Sequence, residues 1–347
     1  MNIQRKLDRI DAALTRLERH QSDCRLCPRE CGVDRGAGER GFCASGAGAV
    51  VSHALLHYGE EPILSGTRSP SSGFSKAELG RSGSGAIFFA GCNLKCRFCQ
   101  NYQLSWLGQG RPVDERELAE LMLDLQAKGA LNINLVSPSH LVLSILRALR
   151  MAFSKGLEIP LVWNSNGYEK ASVLANLEGI IDIYLPDLKY FSPVLSRRFS
   201  AAADYFIQAT EAVKEMAFQQ PILVINKEGI AERGLIIRHL VLPGHTRDST
   251  HILNWLAEEL GRGLAVSLMS QYSPCFRAPQ ELQRSLSAEE YAKVLSQAQK
   301  LGFERMFIQP EGFGPEDHLF PDFDRAEPFR WQKASEKREP AEPDSST

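Results

Sequence analysis

The sequence predicts an α/β fold, a partial (β/α) barrel of about six units preceded by a small cysteine-rich segment. Three observations carry this prediction. From Ala86 onward, apolar β-rich segments alternate with helical patterns, the signature of βα repeats. The apolar segments run continuously instead of alternating with polar residues, as strands of a parallel sheet do when both faces are covered. Polar motifs fall at the C-terminal ends of these segments, on the loops where barrels of this type carry their chemistry.

The β-rich segments are Ala86–Ala90, Ile133–Val136, Leu161–Trp163, Ile180–Leu185, Leu235–Leu242 and Leu264–Leu268. Helical patterns at Glu115–Lys128, Leu141–Lys155, Lys170–Leu177, Asp204–Gln219 and Ser249–Leu260 lie between most of them, and a seventh pair follows at Ala288–Leu301 and Arg305–Gln309. Regular alternation suits a doubly wound sheet as well as a barrel, complete or partial; the handful of strands favours a partial barrel. Ahead of this core, Ile3, Leu7, Ile10, Leu14 and Leu17 recur at helical spacing and predict an amphipathic helix packed on the body. The chain divides into a helix and cysteine-rich segment (1–64), a Ser/Gly-rich loop (65–85), a core (86–310) and a C-terminal extension with a charged, disordered tail (311–347).

Hydrophobic content of 43% and charged content of 24% are ordinary for a soluble globular protein. A net charge of −2 gives no electrostatic footprint for nucleic acid or an anionic membrane. No apolar run approaches the roughly 20 residues that span a bilayer. Seven of the eight cysteines lie in two tight clusters, a usage that points to metal ligation in a reducing cytoplasm instead of a disulfide framework.

The first cluster is Cys24-x2-Cys27-x3-Cys31-x11-Cys43, with glycines between that allow tight turns. Its four thiolates satisfy a structural zinc or an iron–sulfur cluster with no open iron; the spacing fits zinc slightly less comfortably, its second pair not being C-x2-4-C, and plain thiols that bind nothing are the remaining reading. The second is Cys92-x3-Cys96-x2-Cys99, directly after the Ala86–Ala90 segment. Three thiolates so close together cannot share one face of a helix or strand, so this stretch is a loop wrapped round something. A [4Fe–4S] cube usually takes four thiolates; three leave one iron free to bind a small molecule. A zinc site completed by a distant residue and unreactive buried thiols are the alternatives. Cys275, apart from both clusters, reads as structural.

The spacing of the second cluster, with Phe98 before its last cysteine, resembles the signature of the radical S-adenosylmethionine (SAM) superfamily. CRLCPRECGVDRGAGERGFC, HYGEEPILSG, IFFAGCNLKCRFCQNYQLS, NINLVSPSH, WNSNGY, DIYLPDLKY, RHLVLPG and SLMSQY extend the resemblance from Cys24 to about Tyr272. They are similar to the pyruvate formate-lyase activating enzyme-like branch that carries an N-terminal cysteine cluster. The resemblance implies a partial (β/α)6 barrel of radical SAM type. It also implies a [4Fe–4S] cluster on Cys92, Cys96 and Cys99, and SAM bound at the remaining iron. By position, Phe98 is expected near the adenine, Asp187 and Lys189 in SAM contact, and Asn164, Asn166 and Gln271 as further polar contacts, with Lys95 and Arg97 influencing potential. Cys24, Cys27, Cys31 and Cys43 become a second metal site, zinc or iron–sulfur.

The implied activity is reductive cleavage of SAM to a 5′-deoxyadenosyl radical that abstracts hydrogen, with activation of a glycyl radical enzyme as the finer reading. A flavodoxin or ferredoxin electron donor and a protein substrate are the implied partners. A non-catalytic iron–sulfur or zinc protein, an electron carrier or scaffold, is the alternative. Two departures stand out. Where many relatives place Gly-Gly-Glu for the SAM amino group, this chain has Val136-Ser-Pro-Ser-His140, leaving Ser137 or His140 to substitute, and Arg68 to Arg81 reads as an insertion.

Overall fold

The computed structural model describes residues 3–66, 83–309 and 321–329. The Arg68–Arg81 insertion and the charged tail lie outside these residues.

The chain opens with α1 (Ile3–Leu17), which buries Lys6, Ile10, Ala13 and Leu17. Lys6 sits in this interface because Asp182 accepts from its Nζ at 2.6 Å and Ile180 O at 2.8 Å, which offsets the cost of burying a cation. After the cysteine-rich segment come β1 (Ala49–His57) and the short α2 (Pro62–Ser65), then β2 (Ser84–Phe89), α3 (Tyr102–Ser105) and β3 (Arg111–Val113). Regular units follow: α4 (Glu115–Ala127), β4 (Ile133–Val136), α5 (Val142–Ser154), β5 (Leu161–Ser165), α6 (Ala171–Leu174) and β6 (Ile183–Pro186). Two helices, α7 (Pro193–Ser200) and α8 (Tyr205–Gln219), precede β7 (Val224–Ile225) and β8 (Ala231–Leu240). The core ends with α9 (Thr246–Glu259), β9 (Ala265–Met269), α10 (Ala288–Leu301) and β10 (Arg305–Ile308). Caps fix the helix starts: Asp114 accepts from Glu117 N at 2.7 Å, and Ser287 with Glu290 forms a capping box. Each is worth about 1 kcal/mol.

The sheet runs β10-β9-β8-β6-β5-β4-β2-β1-β3 and is open, with β7 paired to β8. Along the path from β2 to β10 all six neighbouring pairs are parallel, while β1 joins β2 antiparallel. The segment read as lying outside the core therefore extends the core's own sheet.

Side chains along each strand sort onto two faces. Leu161 and Trp163, Tyr184, Leu235 and Ile237, Val266 and Leu268 pack with buried residues of α1, α4, α5, α8, α9 and α10. The residues between them, Val162, Ile183, Leu185, Ile236 and Ala265, turn the other way and meet only Leu64 of α2 and a few neighbours. Helices on one face alone distinguish a curved, barrel-like sheet from a doubly wound one, which needs them on both. The concave face is thus free to hold a site. Its β2 end is covered by part of the C-terminal extension: Phe323 and Phe329 pack on Ala86, Phe88 and Leu104, and Gln103 Nε2 donates to Asp324 at 3.0 Å.

Candidate active site

At the C-terminal ends of the parallel strands the concave face opens into a cavity of about 620 Å³. Cys92, Cys96 and Cys99 line it, and so do Phe98, Asn164, Asn166, Asp187, Lys189 and Gln271. Residues far apart in the sequence share one wall because each follows a parallel strand.

The cysteine loop leaves β2 at Gly91, whose φ of +82° favours glycine. A Cβ there would lie 2.5 Å from Ser45 Oγ and 2.6 Å from Cys43 O, so the loop also needs glycine for its close approach to the N-terminal segment. Its backbone is pinned from outside: Lys95 N donates to Ser200 O (3.2 Å), Arg97 N to Phe199 O (2.8 Å), and Trp106 Nε1 to Cys96 O (3.0 Å). Each sulfur accepts a hydrogen bond from a side chain. Asn166 Nδ2 reaches Cys92 Sγ at 3.3 Å, Ser200 Oγ reaches Cys96 Sγ at 3.0 Å, and Ser105 Oγ reaches Cys99 Sγ at 3.2 Å.

Burial, reinforced by neighbouring sulfurs, pushes the Cys92 thiol up to about 11 and Cys99 to about 12. Three thiolates packed this way are unfavourable unless something cationic compensates them, which is what a metal centre supplies. Among the described residues no three His, Cys, Asp or Glu side chains form a group that could hold a single metal ion. A tetrahedral zinc would draw its sulfurs to about 3.8 Å apart, from a Zn–S bond of about 2.3 Å. A [4Fe–4S] cube gives each sulfur its own iron, so three cavity-lining thiolates fit such a cluster.

Phe98 is buried at the cavity wall, edge-on to Tyr272 at 5.5 Å and to Phe199 at 6.3 Å. Lys189 Nζ pairs with Asp187 at 2.5 Å. Burial would lower the lysine's pKa, but Asp187 and the Cys96 sulfur outweigh it and raise it, so Lys189 stays charged. The backbone of Asp187 comes so close to Gly167 (φ +77°) that a Cβ there would lie 2.2 Å from Asp187 O. Gln271 is oriented by Gln309, whose Nε2 donates to it at 2.6 Å. Asn166 is committed before any ligand arrives: its Oδ1 accepts from Tyr168 N (2.9 Å), and its Nδ2 serves Asn93 Oδ1 (2.8 Å) as well as Cys92.

Of the two stand-ins for Gly-Gly-Glu, only Ser137 reaches the cavity, with a φ of +61°. His140 does not line it. Its Nε2 lies 3.0 Å from Ala90 O, its own carbonyl accepts from Arg35 Nη1 at 2.6 Å, and burial lowers its pKa to about 4. His140 is a neutral brace between the two cysteine segments. Cys275 donates to Phe98 O at 3.3 Å and stays protonated, its pKa pushed up to about 11 by burial. Lys95 reaches Ser105 O at 3.2 Å, whereas Arg97 is exposed.

The sequence reading assigned no role to the cavity's charged floor. Glu60 and Glu61, at the end of the β1–α2 connection, both pair with Arg238 of β8, whose Nε donates to Glu61 Oε1 at 2.7 Å. Asn134 Nδ2 donates to Glu60 Oε1 at 2.8 Å. The adjacent glutamates of HYGEEP, next to an apolar run, were the available signal; only the fold reveals Arg238 as their partner.

The N-terminal cysteines gather on the far side of Gly91, and none of the four lines the cavity. Cys24, Cys27 and Cys43 are buried. Arg35 Nη2 donates to Cys43 Sγ at 3.4 Å and Phe42 N to Cys31 Sγ at 3.3 Å. Burial pushes Cys27 up to about 12, with Cys43, Cys24 and Cys31 all adding to the effect, so the four sulfurs share one neighbourhood. Arg29 ties this segment to the core, donating to Asn93 O at 2.9 Å and Ala201 O at 2.6 Å.

No helix among the described residues is long and apolar enough to cross a membrane. Two solved structures overlap the fold in part. A crystal structure of HydG, a maturase of the [FeFe]-hydrogenase, is 13% identical with a TM-score of 0.44, covering 62% of this chain and 48% of its own. SuiB of Streptococcus suis, bound to S-adenosylmethionine, is 13% identical with a TM-score of 0.42, covering 66% and 49%. The chain spans about half the length of each. The uncharacterized protein MJ0674 of Methanocaldococcus jannaschii is 30% identical over 297 residues, 82% of this chain and 77% of the relative. The family model described as the Radical SAM superfamily matches residues 86–256, from the strand that carries the cysteine loop into α9. Aligned along most of a relative's length and matched through its barrel core, the chain belongs to the radical SAM superfamily.

Proposed function

We propose that this protein is a radical SAM enzyme, and that Cys92, Cys96 and Cys99 hold its [4Fe–4S] cluster. The observation that carries the reading is the placement of these three hydrogen-bonded sulfurs on the wall of a roughly 620 Å³ cavity shared with Phe98, Asp187 and Lys189. Held by these cysteines and reduced by an external one-electron donor, such a cluster would supply the electron for reductive cleavage of SAM to methionine and a 5′-deoxyadenosyl radical, the species that would abstract hydrogen from substrate. The chain's own residues do the positioning. Ser137 and Asn164, on adjacent strand ends, offer polar groups to the amino-acid part of SAM, Lys189 a charge for its carboxylate, and Phe98 an apolar surface for its adenine.

Cavities of about 300–1,000 Å³ enclose one drug-sized ligand, so SAM leaves room for only a small substrate or an extended loop. Glu60, Glu61 and Arg238 form a fixed polar floor for it. Activation of a glycyl radical enzyme is the finer reading; it rests on the branch resemblance, and a flavodoxin or ferredoxin would then be the electron donor. Anaerobic reconstitution with iron and sulfide, then SAM and dithionite, is expected to yield 5′-deoxyadenosine. A fully loaded protein that forms none would contradict the proposal.

A further inference from the structure

We propose that Asn166, Ser200 and Ser105 set the reduction potential of the cluster held by the core cysteines, each through one hydrogen bond to one ligand sulfur. The inference rests on reading that trio as cluster ligands, and it assigns these three side chains a positioning role.

The three donors come from unrelated places: Asn166 from the loop after β5, Ser200 from the end of α7 and Ser105 from the end of α3. No single backbone feature produces all three contacts, and no sulfur is served twice by a side chain. Two of the donors are oriented by further partners. Tyr168 N–H occupies Asn166 Oδ1 and Asn93 Oδ1 takes one amide hydrogen, so the other points at Cys92. Tyr190 Oη lies 2.7 Å from Ser200 Oγ. Once Cys96 is a thiolate and can only accept, Ser200 must donate to it, and Tyr190 must donate to Ser200. Both Ser200 and Tyr190 are fully buried, so water cannot replace this relay.

Reduction adds negative charge to a cluster, and part of that charge resides on its sulfurs. A donor dipole aimed at a sulfur therefore stabilises the reduced form more than the oxidised one and raises the potential. Burial acts the other way, as it does on the thiols' own pKa values. The donors would thus offset the lowering effect of burial on the cluster's potential.

The test is an EPR-monitored redox titration of the full-length reconstituted protein without SAM, so that turnover plays no part. Ser105→Ala and Ser200→Ala are each expected to lower the midpoint. At a fixed potential the ratio of reduced to oxidised cluster should fall by up to about tenfold, or 59 mV for a one-electron couple. Their shifts should add, because the two serines share no partner. Ser105→Thr keeps a hydroxyl and should stay at the parental midpoint, as should Ser154→Ala, an exposed serine that donates only to Arg150 O. Parental midpoints in Ser105→Ala and Ser200→Ala, at parental iron and sulfide content, would overturn the proposal. Loss of the cluster from Ser105→Ala would also overturn it, making that hydroxyl an assembly element. A parental protein that assembles no cluster would refute the functional reading instead.

Discussion

The two cysteine sites lie on opposite sides of Gly91 and are built differently. Three of the N-terminal four are buried, and two of the four sulfurs accept from Arg35 and from a backbone N–H. The core three face a cavity, and their sulfurs accept from neutral side chains on three separate elements. The four N-terminal thiols lie away from the cavity, whereas the three core thiols at the strand ends line the space a substrate would enter. Arg29, Arg35 and His140 tie the two together, so the N-terminal segment also forms the wall against which the core loop is shaped.

The largest expected effect separates the two sites outright. Cys96→Ala should abolish 5′-deoxyadenosine formation, a loss beyond the 10–100-fold that removing an outer partner typically costs. Cys43→Ala should instead leave the core cluster's EPR signal in place, and zinc and iron analysis of the same variant tests whether the N-terminal thiols bind a metal. Loss of the core signal from Cys43→Ala would merge the two cysteine segments into one unit.

Next in size is the cavity floor. Arg238→Met leaves two buried glutamates without a counter-charge and should cost about 3–5 kcal/mol in chemical denaturation, whereas replacing all three by apolar residues should recover most of that loss. The floor also has a pH signature. Burial alone would raise the pKa of Glu61, but Arg238 outweighs it and holds the carboxyl below its ordinary value. Its contribution is therefore complete above the unfolded value of about 4.3 and is lost as pH falls through the lower folded value. A thermal-melt series from pH 6 downward should show this acid loss in the parent and less of it in the triple apolar variant.

The smallest effect concerns the link between the sites. Arg35→Met strips the buried His140 carbonyl and Cys43 Sγ of a donor, and should cost about 1–3 kcal/mol. If its effect on stability equals that of Cys43→Ala and the two do not add, Arg35 works through the N-terminal cysteines; additive losses would make it an independent brace.

Much of the barrel was legible because its strands are buried on both faces and read as continuous apolar runs. The strand β1 was not: Ser52, His53 and His57 interrupt its apolar residues, and it forms by pairing with β2. Short α7 was missed for a similar reason, its Arg197 and Arg198 facing solvent while Phe199 and Ser200 are buried behind the cysteine loop. The cysteine triplet declared itself by spacing. Its hydrogen-bond donors did not, because Ser200 lies 104 residues from Cys96 and Asn166 lies 74 from Cys92. The choice between Ser137 and His140 likewise needed the fold, since both follow β4 and only the turn at Ser137 directs one of them to the cavity.

The central claim is that the core trio leaves one corner of its cluster open toward the cavity. The EPR spectrum of the reduced protein, recorded with and without SAM on samples of known iron and sulfide content, tests it most directly. A change in the signal on adding SAM is the predicted result. An identical spectrum from fully loaded protein would contradict it.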